Sequence, residues 1–270
     1  MLNLNANRSI RSISKYLTMA TIGFKHEKSS LISLLARSTF LLMTLEIFTQ
    51  IWNFTSSKYL MGDMSFQSLV WYLVMTEWVM ISTPQIHLQI ERDFRQGEIS
   101  NHLSRPGSYI WMKFAEYFGM MIWRYLYLGA TGVSFAVITL GGLPSNKLYL
   151  FIPILVFLGS VLNLLFQIGM GVLVFWLRDT TPVFWLWQKS TFVLGGLTIP
   201  LIFYPDGLRS FAEWSPFSVF LFWPAYSTVH LGLSDVLISM MRILFWGGFT
   251  VWAVHGLFLL GVRTLQRRGE

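Results

Sequence analysis

Ile90-Glu91-Arg92-Asp93-Phe94-Arg95-Gln96-Gly97-Glu98-Ile99 is a dense patch of both charge signs set between two long apolar runs. The run before it covers 66–90, and the run after it covers 110–140. About 20 apolar residues, at a helical rise of roughly 1.5 Å each, cross the hydrocarbon layer of a membrane. Both runs reach that length. Four more follow the same pattern, at 31–54, 149–177, 182–203 and 237–262. Lipid leaves no partner for a bare peptide group, so such runs must be helices. The strands of a β-barrel would alternate over roughly 10 residues, which is not the pattern here.

Composition agrees. Hydrophobic residues make up 54% of the chain and charged residues 12%. A typical soluble domain has roughly 45–50% and 25%. The expected fold class is therefore all-α: a polytopic membrane protein with six transmembrane helices. Residues 1–30 form a cytoplasmic tail and amphipathic helix, and 31–270 form the six-span domain. Ile10, Ile13, Leu17, Ala20 and Phe24 recur at helical spacing with basic residues opposite, which predicts a helix on the inner leaflet.

Basic residues set the orientation. With the N-terminus inside, the inner segments hold fifteen Lys and Arg, from Arg8 to Arg37, Arg92 to Lys113, Arg178 and Lys189, and Arg263 to Arg268. The outer segments hold three: Lys58, Lys147 and Arg209. Such a bias places both termini in the cytoplasm. The net charge of +7 is accounted for by topology and calls for no nucleic-acid partner. The run at 31 is longer than a signal-peptide core and is expected to stay as an uncleaved first span. With no cysteine, the chain has neither disulfides nor thiolate metal sites.

The connectors carry the functional signal. The charged stretch at 91–98 is expected to form a short helix with Gly97 as a tight bend, stopped further on by Pro106-Gly107. Residues 204–236 are aromatic but broken by Pro205, Pro216 and Pro224. Their apolar pieces are too short to span, which predicts re-entrant or interfacial helices on the outer face. Phe211, Trp214, Pro216, Phe217, Phe220 and Trp223 are expected to form that lid, with Ser215 capping its second helix.

Catalytic signatures are missing from the sequence. No G-x-x-x-x-G-K-[ST] loop occurs, and Lys189-Ser190 has no glycines before it. His26, His87, His102, His230 and His255 fit no metal-site spacing, and Ser134 and Ser160 lie in no nucleophile elbow. Glu46 and Glu77 fall midway along the first two spans, where a charge is costly and usually faces an interior or a cavity. They are read either as a polar patch on a transport path or as interhelical contacts. Lys113, Glu116 and Arg124 read as structural pairs. Gly129, Gly132 and Ala136 form a small-residue seam for helix packing.

Three segments carry a family resemblance: Ile90 to Ile99 with Leu103-Ser104-Arg105-Pro106; Gln188-Lys189 with Gly195 to Leu201 and Tyr204-Pro205; and Ser215-Pro216-Phe217 with Pro224-Ala225. In that order within six spans, they resemble the membrane subunit of an ABC-2 type ABC transporter, in the drug or daunorubicin-type export branch. The resemblance implies an exporter permease of amphipathic or hydrophobic cargo in the plasma (inner) membrane of a prokaryote. It implies that Glu91, Arg92, Asp93, Arg95, Gly97 and Glu98 dock a separate nucleotide-binding subunit, which holds ATP and Mg. It also implies a second permease copy or a related permease, since six spans are half of the family's usual set. This chain would then have no ATPase site or cofactor of its own. An ion-coupled secondary transporter or channel using Glu46 and Glu77 is the alternative.

Overall fold

A computed structural model describes residues 2–58, 64–103, 108–143, 151–177, 179–230 and 232–268. The Pro106-Gly107 stop, Lys147 and Arg178 lie outside these residues. All regular structure among them is helical. Twelve α-helices follow in order: α1 Leu2–Ser29, α2 Leu31–Lys58, α3 Phe66–Ser82, α4 Ile86–Arg95, α5 Glu98–Leu103, α6 Tyr109–Leu140, α7 Ile152–Val172, α8 Thr181–Leu194, α9 Asp206–Trp214, α10 Pro216–Phe220, α11 Phe222–His230 and α12 Leu233–Arg268. Short 3-10 turns extend α7 over Leu173–Phe175 and precede α9 over Leu201–Phe203.

Four stretches among the described residues are long and apolar enough to cross a membrane: Leu31–Ser56, Tyr109–Leu140, Ile152–Phe175 and Leu233–Gln266. Two of the six expected spans have a different form. The run at 66–90 is cut at Thr83-Pro84-Gln85, where proline offers no N–H to continue the helix. Its first part, α3, has 17 residues, about 26 Å of helix. Its second part belongs to α4. The run at 182–203 ends as helix at Leu194, and α8 has 14 residues, about 21 Å. Gly196 then takes φ +65°, a left-handed turn that glycine adopts without strain.

At the centre of the bundle lies α3. Every residue from Leu69 to Val79 is buried, so α3 is apolar on all sides as an enclosed helix must be. It packs on α2, α6, α7 and α11. The seam on α6 receives it: a side chain on Gly129 would collide with Trp78, and one on Gly132 would press on Val74. Trp78 in turn donates its indole N–H to the Tyr125 carbonyl at 2.8 Å.

The unwound piece after α8 is stitched to α3. The Tyr72 hydroxyl donates to the Gly196 carbonyl. Thr76 Oγ1 donates to the Leu197 carbonyl at 2.7 Å. Peptide groups freed by the break thus find partners inside the protein, which is the condition for irregular backbone at membrane depth.

Helix α1 runs beside the first half of α6. Ala20 meets Gly119, Gly23 meets Glu116 and Met120, and Glu27 meets Arg124. At Gly23 and Gly119 even a Cβ would sit 1.9 Å from a facing carbonyl oxygen, so the two backbones touch. Phe24 adds an edge-to-face contact on Trp123, 5.3 Å between centroids. Since α6 has 32 residues, about 48 Å of helix, it exceeds the roughly 30 Å hydrocarbon layer by several turns. The α1 partner lies along the first half of that length.

Candidate functional site: the charged connector and the adjoining cavity

The charged connector is helical to Arg95. It turns at Gly97, whose φ of +72° suits the bend expected there, and resumes as α5. Each residue advances about 100° around a helix. Glu91 and Asp93 therefore project to opposite flanks of α4, and both are buried.

Glu91 reaches the start of α8. Its Oε2 accepts the backbone N–H of Thr180 at 3.2 Å and also the Thr180 hydroxyl. Its Oε1 pairs with Arg95, one turn on, at 2.5 Å. Asp93 reaches the start of α6 instead. It is wholly buried, accepts from the Tyr109 hydroxyl and from Gln89, each at 2.7 Å, and pairs with Lys113 Nζ at 3.0 Å. Burial raises the Asp93 carboxyl. The Tyr109 and Lys113 contacts outweigh that and hold it below the usual carboxylate range. Arg92, Arg95, Gln96, Gly97 and Glu98 face outward. The six residues of the connector thus divide into two inward clamps and an exposed, mixed-charge face.

Neither Thr180 nor Asp179 is among the residues singled out by the charge pattern of the connector. Asp179 accepts the N–H of Thr181 at 2.9 Å, approaches Arg95 at 3.9 Å, and is held low by its bonds to Thr181. The string Asp179-Thr180-Thr181-Pro182 was the available signal, since cap-type residues before proline open a helix.

Behind α4 lies a cavity of about 750 Å³. Its polar lining includes Arg37, Thr44, Glu77, Asn163, Gln167 and Gln188, and Phe40, Phe48, Phe184 and Trp187 supply aromatic walls. Glu77 is 4% exposed and makes no hydrogen bond or ion pair with a described residue. Glu46 does not join it. That acid sits on the exposed face of α2 and accepts from Gln50 at 2.7 Å.

His87 joins connector to cavity. Its ring stacks on Phe184 at 3.8 Å, and its Nδ1 lies 3.3 Å from Gln167 Oε1. Gly171 of α7 receives Ile90 and the His87 backbone, where a Cβ would have no room. Through His87, α4 thus touches two residues of the cavity wall, Phe184 of α8 and Gln167 of α7.

On the far side, 205–230 fold into three short helices. Ser215 caps α10 and accepts from Ser218 N at 3.4 Å, with Pro216 next in line. The six lid residues do not share one face. Phe220 is fully buried against Phe166 and Trp187. Phe217 also meets Trp187 in a tilted contact, 4.6 Å between centroids, and Trp223 is half-buried. Phe211 is 66% exposed and Trp214 82%. The break at Ser215-Pro216 resets the helical phase and separates the two sets.

Arg124, expected to pair along its own helix, pairs with Glu27 of α1 at 2.6 and 2.8 Å. Glu116 meets Lys113 at 3.7 Å as expected.

A protein-family model described as ABC-2 family transporter protein matches residues 40–269. No curated protein matches the chain.

Proposed function

The chain belongs to the ABC-2 family of transporter proteins, and from that premise we propose that it is the membrane subunit of an ABC exporter. In this reading it moves an amphipathic or hydrophobic cargo outward. ATP is hydrolysed, with Mg, on a separate nucleotide-binding subunit. A second copy or a related permease completes the unit in a prokaryotic inner membrane, with both termini inside. Six crossings are retained: α3 and α8, each too short alone, are completed by their flanking segments. The short helices α9 to α11 serve as a re-entrant outer lid.

One observation carries the proposal. Helix α4 is bound through Glu91 to the start of α8 and through Asp93 to the start of α6, while Arg92, Arg95 and Glu98 stay exposed. A surface of mixed charge fixes the register of a docked partner. The two carboxylates then pass its movement to two membrane helices, and His87 passes it to the cavity. Glu91 and Asp93 act in this reading as positioning residues behind the docking face.

The test is direct. A P-loop ATPase, sought among the products of the neighbouring genes, should co-purify with the chain, and its ATPase rate should rise on assembly. An Arg92→Glu/Glu98→Lys variant should fold normally and lose both effects. Full binding and stimulation in that variant would sink the docking assignment.

A second reading, ion-coupled transport without ATP, is favoured only by Glu77 in the cavity, which has no hydrogen-bond or ion-pair partner among the described residues. Uptake by ATPase-free vesicles under an imposed ion gradient separates the two.

A further inference from the structure

A second cavity, about 450 Å³, opens at the inner side between α1, α2, α4 and α6. It is lined by four cations, Arg37, Arg92, Lys113 and Arg124, and by two acids, Glu27 and Glu116, with His26 at its edge. Pairing inside the protein uses up part of this set. Glu27 takes Arg124 in a two-point contact at 2.6 and 2.8 Å. Lys113 is shared between Asp93 at 3.0 Å and Glu116 at 3.7 Å. The acids are then all engaged.

Arg37 and Arg92 are left over. Neither makes a hydrogen bond or ion pair with a described residue, and the Arg37 Nε is buried without a partner. A guanidinium in that situation is costly unless an anion meets it. Its planar fork matches the oxygens of a phosphate better than a point charge would.

Position narrows the chemistry. Arg37 lies six residues along α2 from Leu31, about 9 Å of helix, so it sits just inside the membrane on the side of the basic connectors. Ile22 and Leu88 line the cavity and are 50% and 40% exposed, which gives it an apolar rim. Arg37 and Gln85 also line the larger cavity, so the two chambers share a wall.

We propose that this inner cavity is a binding site for the phosphate of an anionic amphiphile, held between Arg37 of α2 and Arg92 of α4. A bound phosphate would tie the first span to the connector helix, so that anion occupancy governs how α4 is held. Basic pockets between membrane helices on the cytoplasmic side suit phospholipid headgroups. A soluble phosphate ester offers the same chemistry.

The test uses the full chain in neutral detergent and follows its thermal unfolding midpoint. Three probes are titrated: short-chain phosphatidylglycerol, short-chain phosphatidylcholine and inorganic phosphate. The expected result is a saturable rise with phosphatidylglycerol and none with phosphatidylcholine. Arg37→Gln and Arg92→Gln should each weaken the response about tenfold or more, the scale of one charge-assisted hydrogen bond. Arg37→Lys should fall between wild type and Arg37→Gln. If inorganic phosphate acts with the same arginine dependence, the site stands and its ligand is a soluble phosphate. If Arg37→Gln does not fold, exposed Arg92 carries the test. Equal responses to both lipids, no response to any probe, or wild-type binding in the Arg92 variant would overturn the proposal.

Discussion

Thr180 gives both its backbone N–H and its hydroxyl to one oxygen of Glu91, across 89 positions of sequence. This contact fixes the start of α8 to the connector α4. Thr180→Val keeps the shape and removes the hydroxyl donor. It should lower stability by about 1–3 kcal/mol and reduce ATPase stimulation, as read by unfolding and by the assembled-to-free rate ratio.

Asp93 and its neighbour Arg92 should respond in opposite ways. Removing a buried partner costs roughly 3–5 kcal/mol when it strands the other charge. Asp93→Ala leaves Lys113 with only its longer contact to Glu116 and the buried Tyr109 hydroxyl without its acceptor, so it should lower the unfolding midpoint sharply. Arg92→Glu faces solvent and should leave the midpoint of the lipid-free protein unchanged. A stable Asp93→Ala protein would show that the buried network is not needed.

Acid should weaken the connector. The Asp93 pKa is below its ordinary value, held there against burial by Tyr109 and Lys113. Its contribution is complete above about 4 and is lost as pH falls through the folded pKa. Asp93→Asn should remove this acid step in unfolding curves taken across pH.

Gly196→Ala tests the break after α8. A Cβ there lies 2.9 Å from the Tyr72 hydroxyl, at a φ of +65°. The left-handed backbone alone costs about 1–2 kcal/mol for an L side chain. Destabilisation should exceed that of Gly207→Ala, where a Cβ meets open space. Equal effects at both sites would mean that the stitch to α3 is weak.

The outer segment can be mapped by thiol labelling, because the chain has no cysteine. Single cysteines at Asp206, Glu213 and Asp235 should all react with an impermeant reagent from outside. Labelling of positions 206 and 235 from opposite sides would remove the re-entrant lid and change the span count.

Much of this architecture is legible in the sequence. The apolar runs, the bend at Gly97, the cap at Ser215 and the seam at Gly129 and Gly132 all rest on local rules. The breaks were harder. Pro84 sits inside a run whose hydropathy reads as one span, and Gly195-Gly196 interrupts another, because hydropathy averages over the residue that stops the helix. The burial of Glu91 and Asp93 could not be read at all. Their charge suggests solvent, and the partners that hide them, Thr180 and Lys113, are distant in sequence. Arg124 shows the same limit, since Glu116 was near on its helix and Glu27 lies 97 positions away. Phe220 and Trp214 looked equivalent until the turn at Ser215 set one inward and the other outward.

The touching backbones of α1 and α6 bear on how the chain is made. Arg124 arrives in a long apolar helix, where a lone arginine costs about 2.5–3.5 kcal/mol to insert near its centre. Glu27 precedes it by 97 positions and meets it in the folded chain. The N-terminal helix thus neutralises the arginine of α6 and covers the strip where Gly119 meets Ala20. A chain trimmed of its first 29 residues would keep every long apolar stretch, yet its α6 would carry an arginine without its carboxylate and an uncovered backbone.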